Sequence, residues 1–447
     1  MSLTTQAAPR GLPPGPRWPR AVQTLRFGLD PYGLFESAHR AFGDVFTLRV
    51  MAETWVILAH PDAVRELYRH GPDVLDSGVA NMSLRPLLGT QNVLLLDGGE
   101  HLRRRKLVLP PLHGERMLAY EELIREATRR ELAEWSLGVP MPTLPRMHAI
   151  TLHVVLRAVF GLEEGARLDR LASSLRRLMT WTTDPRRGLV FGFLGPDRLM
   201  GLAGFRRQLA DVDDQLLAEI ASRREVADLG DREDILSLLL RARDEHGKGL
   251  SDRELRDELM TLLVAGHETT AAALSWALTE VARDPQAQAR LASGEQGLAE
   301  AAITETLRLH PPVPLGSLRR LRHPMTIAGW QLPAGATVAS CSLLIHRRPD
   351  IYEQPTRWRA DRFLSTRPPP GAWIPFGGGV RRCVGAAFAQ FEASTILDEV
   401  TRTLELRPAG RPTRRVGRRG IVLVPPRGGT VIPSSRHASA PLVAAPR

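Results

Sequence analysis

The chain has 447 residues, a formal net charge of +11 and only two cysteines, Cys341 and Cys383. Two cysteines cannot build a disulfide framework, and no C-x-x-C pair or His/Cys cluster has zinc-finger spacing, so both modules are excluded and a reducing, cytoplasmic setting is expected. The positive charge comes almost wholly from arginines dispersed along the chain, without aromatic platforms between them, so nucleic acid is not an expected partner.

Residues 1–20, with "LPPGPRWP", read as a proline-stiffened N-terminal segment. It has no apolar run, so neither a secretory signal nor a membrane anchor is expected. Strand patterns follow in "DVFTLRV" and "TWVILA". Period-3.6 apolar spacing predicts helices over 121–135, 170–181, 205–226 and 232–247. Further strands are expected in "TVASCSLLI" and "RGIVLVP", and residues 434–447, "SSRHASAPLVAAPR", read as a tail without structure. The expected architecture is one mainly α domain with small β-sheets over 21–433, acting as a monomer.

The longest helix candidate starts at Ser251, where "SDRE" offers a capping box through Glu254, and stops before Asp284-Pro285. At 1.5 Å per residue its roughly 30 residues span ~45 Å. Its flanks are apolar nearly all round, which predicts a buried central helix. Its middle, Ala265-Gly266-His267-Glu268-Thr269-Thr270, is unlike the rest, since a buried carboxylate is costly without partners and glycine weakens a helix by about 1 kcal/mol against alanine. Two readings stand: a solvent-facing notch whose threonines bond back to the preceding turn, or a hydrated point of proton delivery.

Downstream, Glu305 and Arg308 in "AAITETLRLHPP" share one helix face. Arg362, at the end of a proline- and arginine-rich coil, could bridge to Glu305 and give a buried Arg-Glu-Arg network. Then comes "FGGGVRRCVG", Phe376 to Gly385, ahead of the helical "AAFAQFEASTILDEV". A packed structural cysteine needs apolar neighbours; Cys383 instead follows three glycines and two arginines.

The pattern F-x-x-G-x-R-x-C-x-G is matched by Phe376, Gly379, Arg381, Cys383 and Gly385, a coincidence of on the order of one in ten thousand by chance. Together with the acid-alcohol helix, Glu-x-x-Arg and the arginine-phenylalanine segment in this order, it resembles the cytochrome P450 family over nearly the whole chain. The resemblance implies the P450 fold, with haem b between the central helix and the cysteine loop, and Cys383 as the thiolate ligand of the iron. It implies that Phe376 packs beside the sulfur, that Gly377 to Gly379 and Gly385 let backbone approach the porphyrin, and that Arg381 binds a propionate. It adds His101 and Arg105 of "GEHLRRRKLV" and Arg319 as further propionate partners, counts Ala265 among the cofactor-binding positions, and makes Glu268 and Thr269 the pair that delivers protons during dioxygen activation. Glu305, Arg308 and Arg362 become its structural network.

The implied reaction is insertion of one oxygen atom, by hydroxylation or epoxidation, into a hydrophobic small molecule such as a fatty acid, terpenoid, steroid or polyketide. The segments that would line the substrate pocket are 76–95, 186–201, the helix face before Thr269, 313–317 and 420–422. The alternatives are a family member that uses peroxide or rearranges its substrate without dioxygen, and a non-enzymatic haem gas carrier or sensor. The chain carries no flavin or iron-sulfur domain, so electrons are expected from a ferredoxin with its reductase or a flavodoxin. Arg103, Arg104, Lys106, Arg357, Arg359 and Arg382 are expected to form the basic face that meets it.

Overall fold

Ser251 begins the longest element of the computed structural model, which describes residues 11–161, 165–184, 198, 201–411 and 415–435. Its hydroxyl accepts the Glu254 amide, and the Glu254 carboxylate returns to the Ser251 amide at 2.8 Å, the reciprocal cap that "SDRE" predicts. The central helix that follows, Asp252–Val281, is 30 residues long and buried along most of its length. It packs most extensively on the helix Thr143–Phe160, and also meets Ala203–Arg224, Leu298–Leu309 and Ala386–Thr403. Together with Glu121–Ala133 these helices enclose the largest apolar cluster, in which Ile124, Phe160, Phe205, Leu274 and Leu397 are closed to solvent. Each such side chain contributes about 1.5–3 kcal/mol through burial.

A five-stranded sheet lies to one side. Its order is Val45–Val50, Glu53–Leu58, Thr337–Ser340, Arg319–Leu321, Leu75–Asp76. Val45 pairs with Leu58 in an antiparallel hairpin, while Trp55 to Leu58 run parallel to Thr337 to Ser340. The proline-rich segment lies along this sheet, with Pro13 and Pro14 carbonyls accepting from the Thr47 hydroxyl and amide at 2.6 and 2.9 Å. A second sheet joins Met141–Pro142, Thr430–Ser435 and Leu404–Pro408, and a hairpin pairs Gly417–Arg419 with Val422–Val424 around Gly420.

Three expectations are revised. The helix read over 232–247 is only Ile235–Arg241. The Asp244 carboxylate accepts the His246 and Lys248 amides, both at 2.9 Å, and turns the chain instead. In "TVASCSLLI" the strand ends at Ser340 and a helical turn, Ser342–Ile345, takes over. The strand Thr430–Ser435 includes Ser434 and Ser435, paired with Glu405 and Leu404; the rest of the expected tail, 436–447, and the first ten residues lie outside the described part. Among the described residues no helix is long and apolar enough to cross a membrane.

Candidate functional site

The cysteine loop is a tight wrap. Cys383 N–H donates to the Phe376 carbonyl at 3.0 Å and Arg382 N–H to Gly379 at 3.1 Å. Gly377 and Gly379 have φ of +65° and +62°, the left-handed region that glycine alone adopts cheaply. A residue the motif does not name, Tyr68, fills the outside of the wrap. A Cβ on Gly378 would sit 2.3 Å from its ring, and one on Gly379 would sit 2.8 Å from its carbonyl. Tyr68 therefore leaves no room for a side chain at either glycine. Gly385, which precedes the helix Ala386–Thr403, differs: nothing lies within 4 Å of a Cβ there.

Cys383 keeps accessible surface, yet protein crowds its sulfur enough that burial pushes the thiol up, against the pull of the Gly385 N–H, Arg105 and Arg382. Cys341 has no such surface, and burial pushes its thiol up to about 12. Of the two it is the inert one.

Four basic side chains converge near this loop. His101 is closed to solvent and falls to about 3, through burial first and then repulsion by Arg381 and Arg105, with Arg319 adding to it. Arg381 falls to about 10, again through burial, with Arg319 and Arg105 repelling it. Arg319 is buried and lowered by that burial. Arg105 donates to the Arg382 carbonyl at 2.6 Å. The acid among them is Asp97, a residue the motif reading overlooks although an aspartate just before "GGEHLRRR" is a helix-start signal. Its carboxylate takes Arg381 at 2.5 Å and the amides of Ser77, Gly78 and Val79 at 2.7, 2.9 and 3.1 Å.

In the central helix, Ala265 and Gly266 are exposed although the flanking turns are buried. A Cβ on Gly266 would meet only Val155, at 3.9 Å. Thr269 Oγ1 donates to the Ala265 carbonyl at 2.7 Å, the back-bond of the notch reading. Glu268 is buried and not solvent-facing. Its Oε1 accepts from Arg419 Nε at 2.7 Å, and Nε2 of His148 lies 3.3 Å from Oε2. Burial works to raise this carboxyl, but His148 and Arg419 outweigh it and hold it at about 2. Neither partner had a sequence signal, lying 120 and 151 residues away.

Glu305, Arg308 and Arg362 are brought together. Arg308 Nε and Nη2 reach the carboxylate at 2.6 and 2.9 Å, and Arg362 Nε reaches Oε1 at 3.0 Å. Arg308 also caps the carbonyls of His346 and Pro355, both at 2.7 Å, pinning the coil that follows.

The expected basic face is smaller than its arginine list. Arg104 is buried between Glu254 and Glu258 and donates to the Gln91 carbonyl. Arg103 is largely buried and paired with Asp244 and Glu254. Asp244 and the central-helix acids Glu254 and Glu258 neutralise them, so neither presents charge outward. Lys106, Arg357 and Arg382 remain exposed and Arg359 partly so. Of the expected pocket segments, 186–197 and 199–200 lie outside the described residues.

A profile of the cytochrome P450 family matches residues 9–432. The chain belongs to the cytochrome P450 family. Cytochrome P450 135A1 of Mycobacterium tuberculosis is 37% identical over 406 residues, 90% of this chain and 90% of the relative. Cytochrome P450 138 of the same species is 38% identical over 452 residues, 97% of this chain and 99% of the relative. These names state a family and no reaction. Among solved structures, the retinoic acid-bound cyanobacterial CYP120A1 superposes with a TM-score of 0.82 at 23% identity, covering 96% of this chain and all of that one. The cytochrome P450DA haem domain superposes at 0.81 and 22%, covering 97% and 99%. The P450 fold is thereby established for this chain, and family membership makes it a haem-iron oxidoreductase of the monooxygenase type.

Proposed function

We propose that this P450 holds haem b through the Cys383 thiolate, receives electrons from a separate acidic carrier protein, and inserts one oxygen atom into a hydrophobic small molecule. The observation that carries the reading is the charge imbalance beside Cys383. Arg105, Arg319 and Arg381 share this corner with two carboxylates, Asp97, already engaged by three amides and Arg381, and Asp76, which Arg322 holds at 2.6 Å. With Arg322 counted, four guanidiniums less two carboxylates leave two positive charges for the two haem propionates, each suited to a guanidinium fork. His101 Nδ1, buried without a hydrogen bond among the described residues, is a further donor for the same groups. The bare backbone at Gly385 and at Ala265–Gly266 suits close approach by a flat ring.

Bound haem iron supplies the dioxygen chemistry, and a thiolate ligand favours O–O cleavage. The chain's own residues do the rest. The Gly385 N–H, Arg105 and Arg382 favour the charged sulfur, and haem iron held there would favour it further. Phe376 packs against Trp373 in an edge contact at 5.9 Å between ring centres, which supports its role in keeping water from the sulfur. Glu268 is held as a carboxylate by His148 and Arg419, and release of Arg419 would raise its basicity and let it relay a proton toward Thr269 Oγ1, whose hydroxyl orients water. Leucine, valine and glycine dominate 76–95, 313–317 and 420–422, which supports a hydrophobic substrate. Lys106, Arg357, Arg359 and Arg382 support docking of an acidic ferredoxin or flavodoxin.

The test is the spectrum of the dithionite-reduced protein under carbon monoxide. Wild type and Cys341→Ala are expected to give the red-shifted Soret band of a thiolate-ligated haem, and Cys383→Ser is expected to lose it. The reverse pattern overturns the assignment.

A further inference from the structure

Behind the acid-alcohol turn, two helices bring three donor side chains together. Glu268 and His267 come from the central helix and His148 from Thr143–Phe160. Glu268 Oε2 and His148 Nε2 stand 3.3 Å apart, and both atoms are buried without a hydrogen bond among the described residues. The His148 and His267 rings meet edge to face with centres 4.9 Å apart. Thr151 Oγ1 fixes the His267 ring by contact with Nδ1 at 3.0 Å. One donor atom from each of the three residues lies within 4.8 Å of the others.

We infer that His148, His267 and Glu268 form a binding site for a divalent transition metal, with zinc as the best fit, whose occupation takes Glu268 out of proton delivery. Zinc bonds to imidazole nitrogen and carboxylate oxygen are about 2.0–2.2 Å, so a tetrahedral centre sets its ligand atoms roughly 3.3–3.5 Å apart. The separation of Glu268 Oε2 and His148 Nε2 already lies at that bite, and only His267 has to close in. Two imidazoles and one carboxylate select zinc, copper or nickel over magnesium or calcium, which take all-oxygen sites. A fourth position is left for water, as in open zinc sites.

Arg419 is the built-in competitor. It occupies Glu268 Oε1 at 2.7 Å and brings a positive charge beside the metal position. Its side chain is one-third exposed and sits on the hairpin strand Gly417–Arg419, so it can leave the carboxylate for solvent. Metal and guanidinium therefore contest one acid. Binding of the metal stands on geometry alone; its effect on turnover rests on the proton-delivery role proposed above for Glu268.

The test uses tag-free ferric holoprotein freed of metal by chelator and titrated with zinc, read by calorimetry, by elemental analysis after gel filtration, and by zinc-edge X-ray absorption. One zinc per chain is expected, surrounded by nitrogen and oxygen with two imidazole contributions and no sulfur. His148→Ala, His148→Gln and Glu268→Gln are expected to weaken it by about ten-fold or more, while Arg419→Gln, which removes the competitor, tightens it. Unchanged affinity in the His148 and Glu268 variants, a sulfur neighbour, or the absence of a stoichiometric site in both wild type and Arg419→Gln overturns the inference. Zinc that binds as described yet leaves electron-to-product coupling and rate unaltered keeps the site and rejects the proton-delivery role of Glu268.

Discussion

Arg104 and Glu258 face each other at 3.2 Å with 1% and none of their side-chain surface exposed. The pair clasps the central helix to the preceding loop, since Glu258 also accepts the Val93 amide at 2.7 Å and Asp257 accepts that of Gln91 at 2.8 Å. Arg104→Met would strand a buried carboxylate and is expected to cost about 3–5 kcal/mol, seen as a lower denaturation midpoint of the holoprotein. The double variant Arg104→Met/Glu258→Met should regain most of that loss. A change below about 1 kcal/mol in the single variant would show the clasp to be idle. Because the Val93 and Leu96 carbonyls also hold Arg381, at 3.2 and 2.6 Å, haem retention should fall with it.

The two kinds of glycine in the cysteine loop respond differently to a methyl group. Gly378→Ala meets the Tyr68 ring at 2.3 Å and is expected to destabilise the fold by about 1–3 kcal/mol through overpacking. Gly385→Ala meets no protein atom within 4 Å, so folding stability should stay within about 1 kcal/mol, while haem occupancy, read from the Soret-to-protein absorbance ratio, drops. Equal haem occupancy in Gly385→Ala and wild type would remove Gly385 from the cofactor surface.

His101 gives the haem-free protein an acid sensitivity. Its pKa of about 3 in the fold lies below the ordinary 6.5, so the neutral ring is favoured on folding. Its contribution is complete above pH 6.5 and is lost as pH falls from there toward 3, at up to about 1.4 kcal/mol per pH unit. Urea midpoints between pH 7 and 5 should show the decline, and His101→Phe should flatten it. An equally steep decline in the variant would assign the sensitivity to other groups.

Thr269→Ala removes the hydroxyl that now bonds Ala265 without touching the cysteine loop. The variant is expected to keep a normal carbon monoxide spectrum while a larger share of the electrons supplied by reduced ferredoxin appears as hydrogen peroxide, and Thr269→Ser should restore wild-type partition. Identical peroxide yields in wild type and Thr269→Ala would exclude the hydroxyl from proton handling.

What could be read from the chain was local or carried by fixed spacing. The Ser251 cap involves neighbours three residues apart, and the Glu305–Arg308 pair needs one helical turn, so both follow from sequence chemistry. The cysteine loop is legible because ten consecutive residues carry its motif. Arg104 was misjudged for the converse reason: in "RRRK" it looks solvated, and its neutralising acids stand about 150 residues later in the chain. Tyr68, His148 and Arg419 fail in the same way, since only tertiary packing brings them to Gly378 and Glu268. The shortened 235–241 helix shows a further limit: the apolar pattern ends at Ala242, the polar residues after it fit a helix as well as a turn, and Asp244, by accepting the following amides, selects the turn.

The central helix is anchored unevenly along its length. Its first half is tied by Asp257 and Glu258 to the loop at 91–93, and its last turns by Ser275 to Thr143 at 2.6 Å and by Trp276 to the Leu423 carbonyl at 3.4 Å. Between them, Ala265 and Gly266 carry open surface and, among the described residues, no side-chain tether of their own, the next ties being those of His267 to Thr151 and of Glu268 to Arg419. Breathing of this rod should therefore concentrate in one interior turn instead of fraying from its ends. Amide deuteration of the haem-free protein would then show a fast-exchanging island near 265–266 flanked by slow segments, an inversion of the usual helical profile in which the termini exchange first.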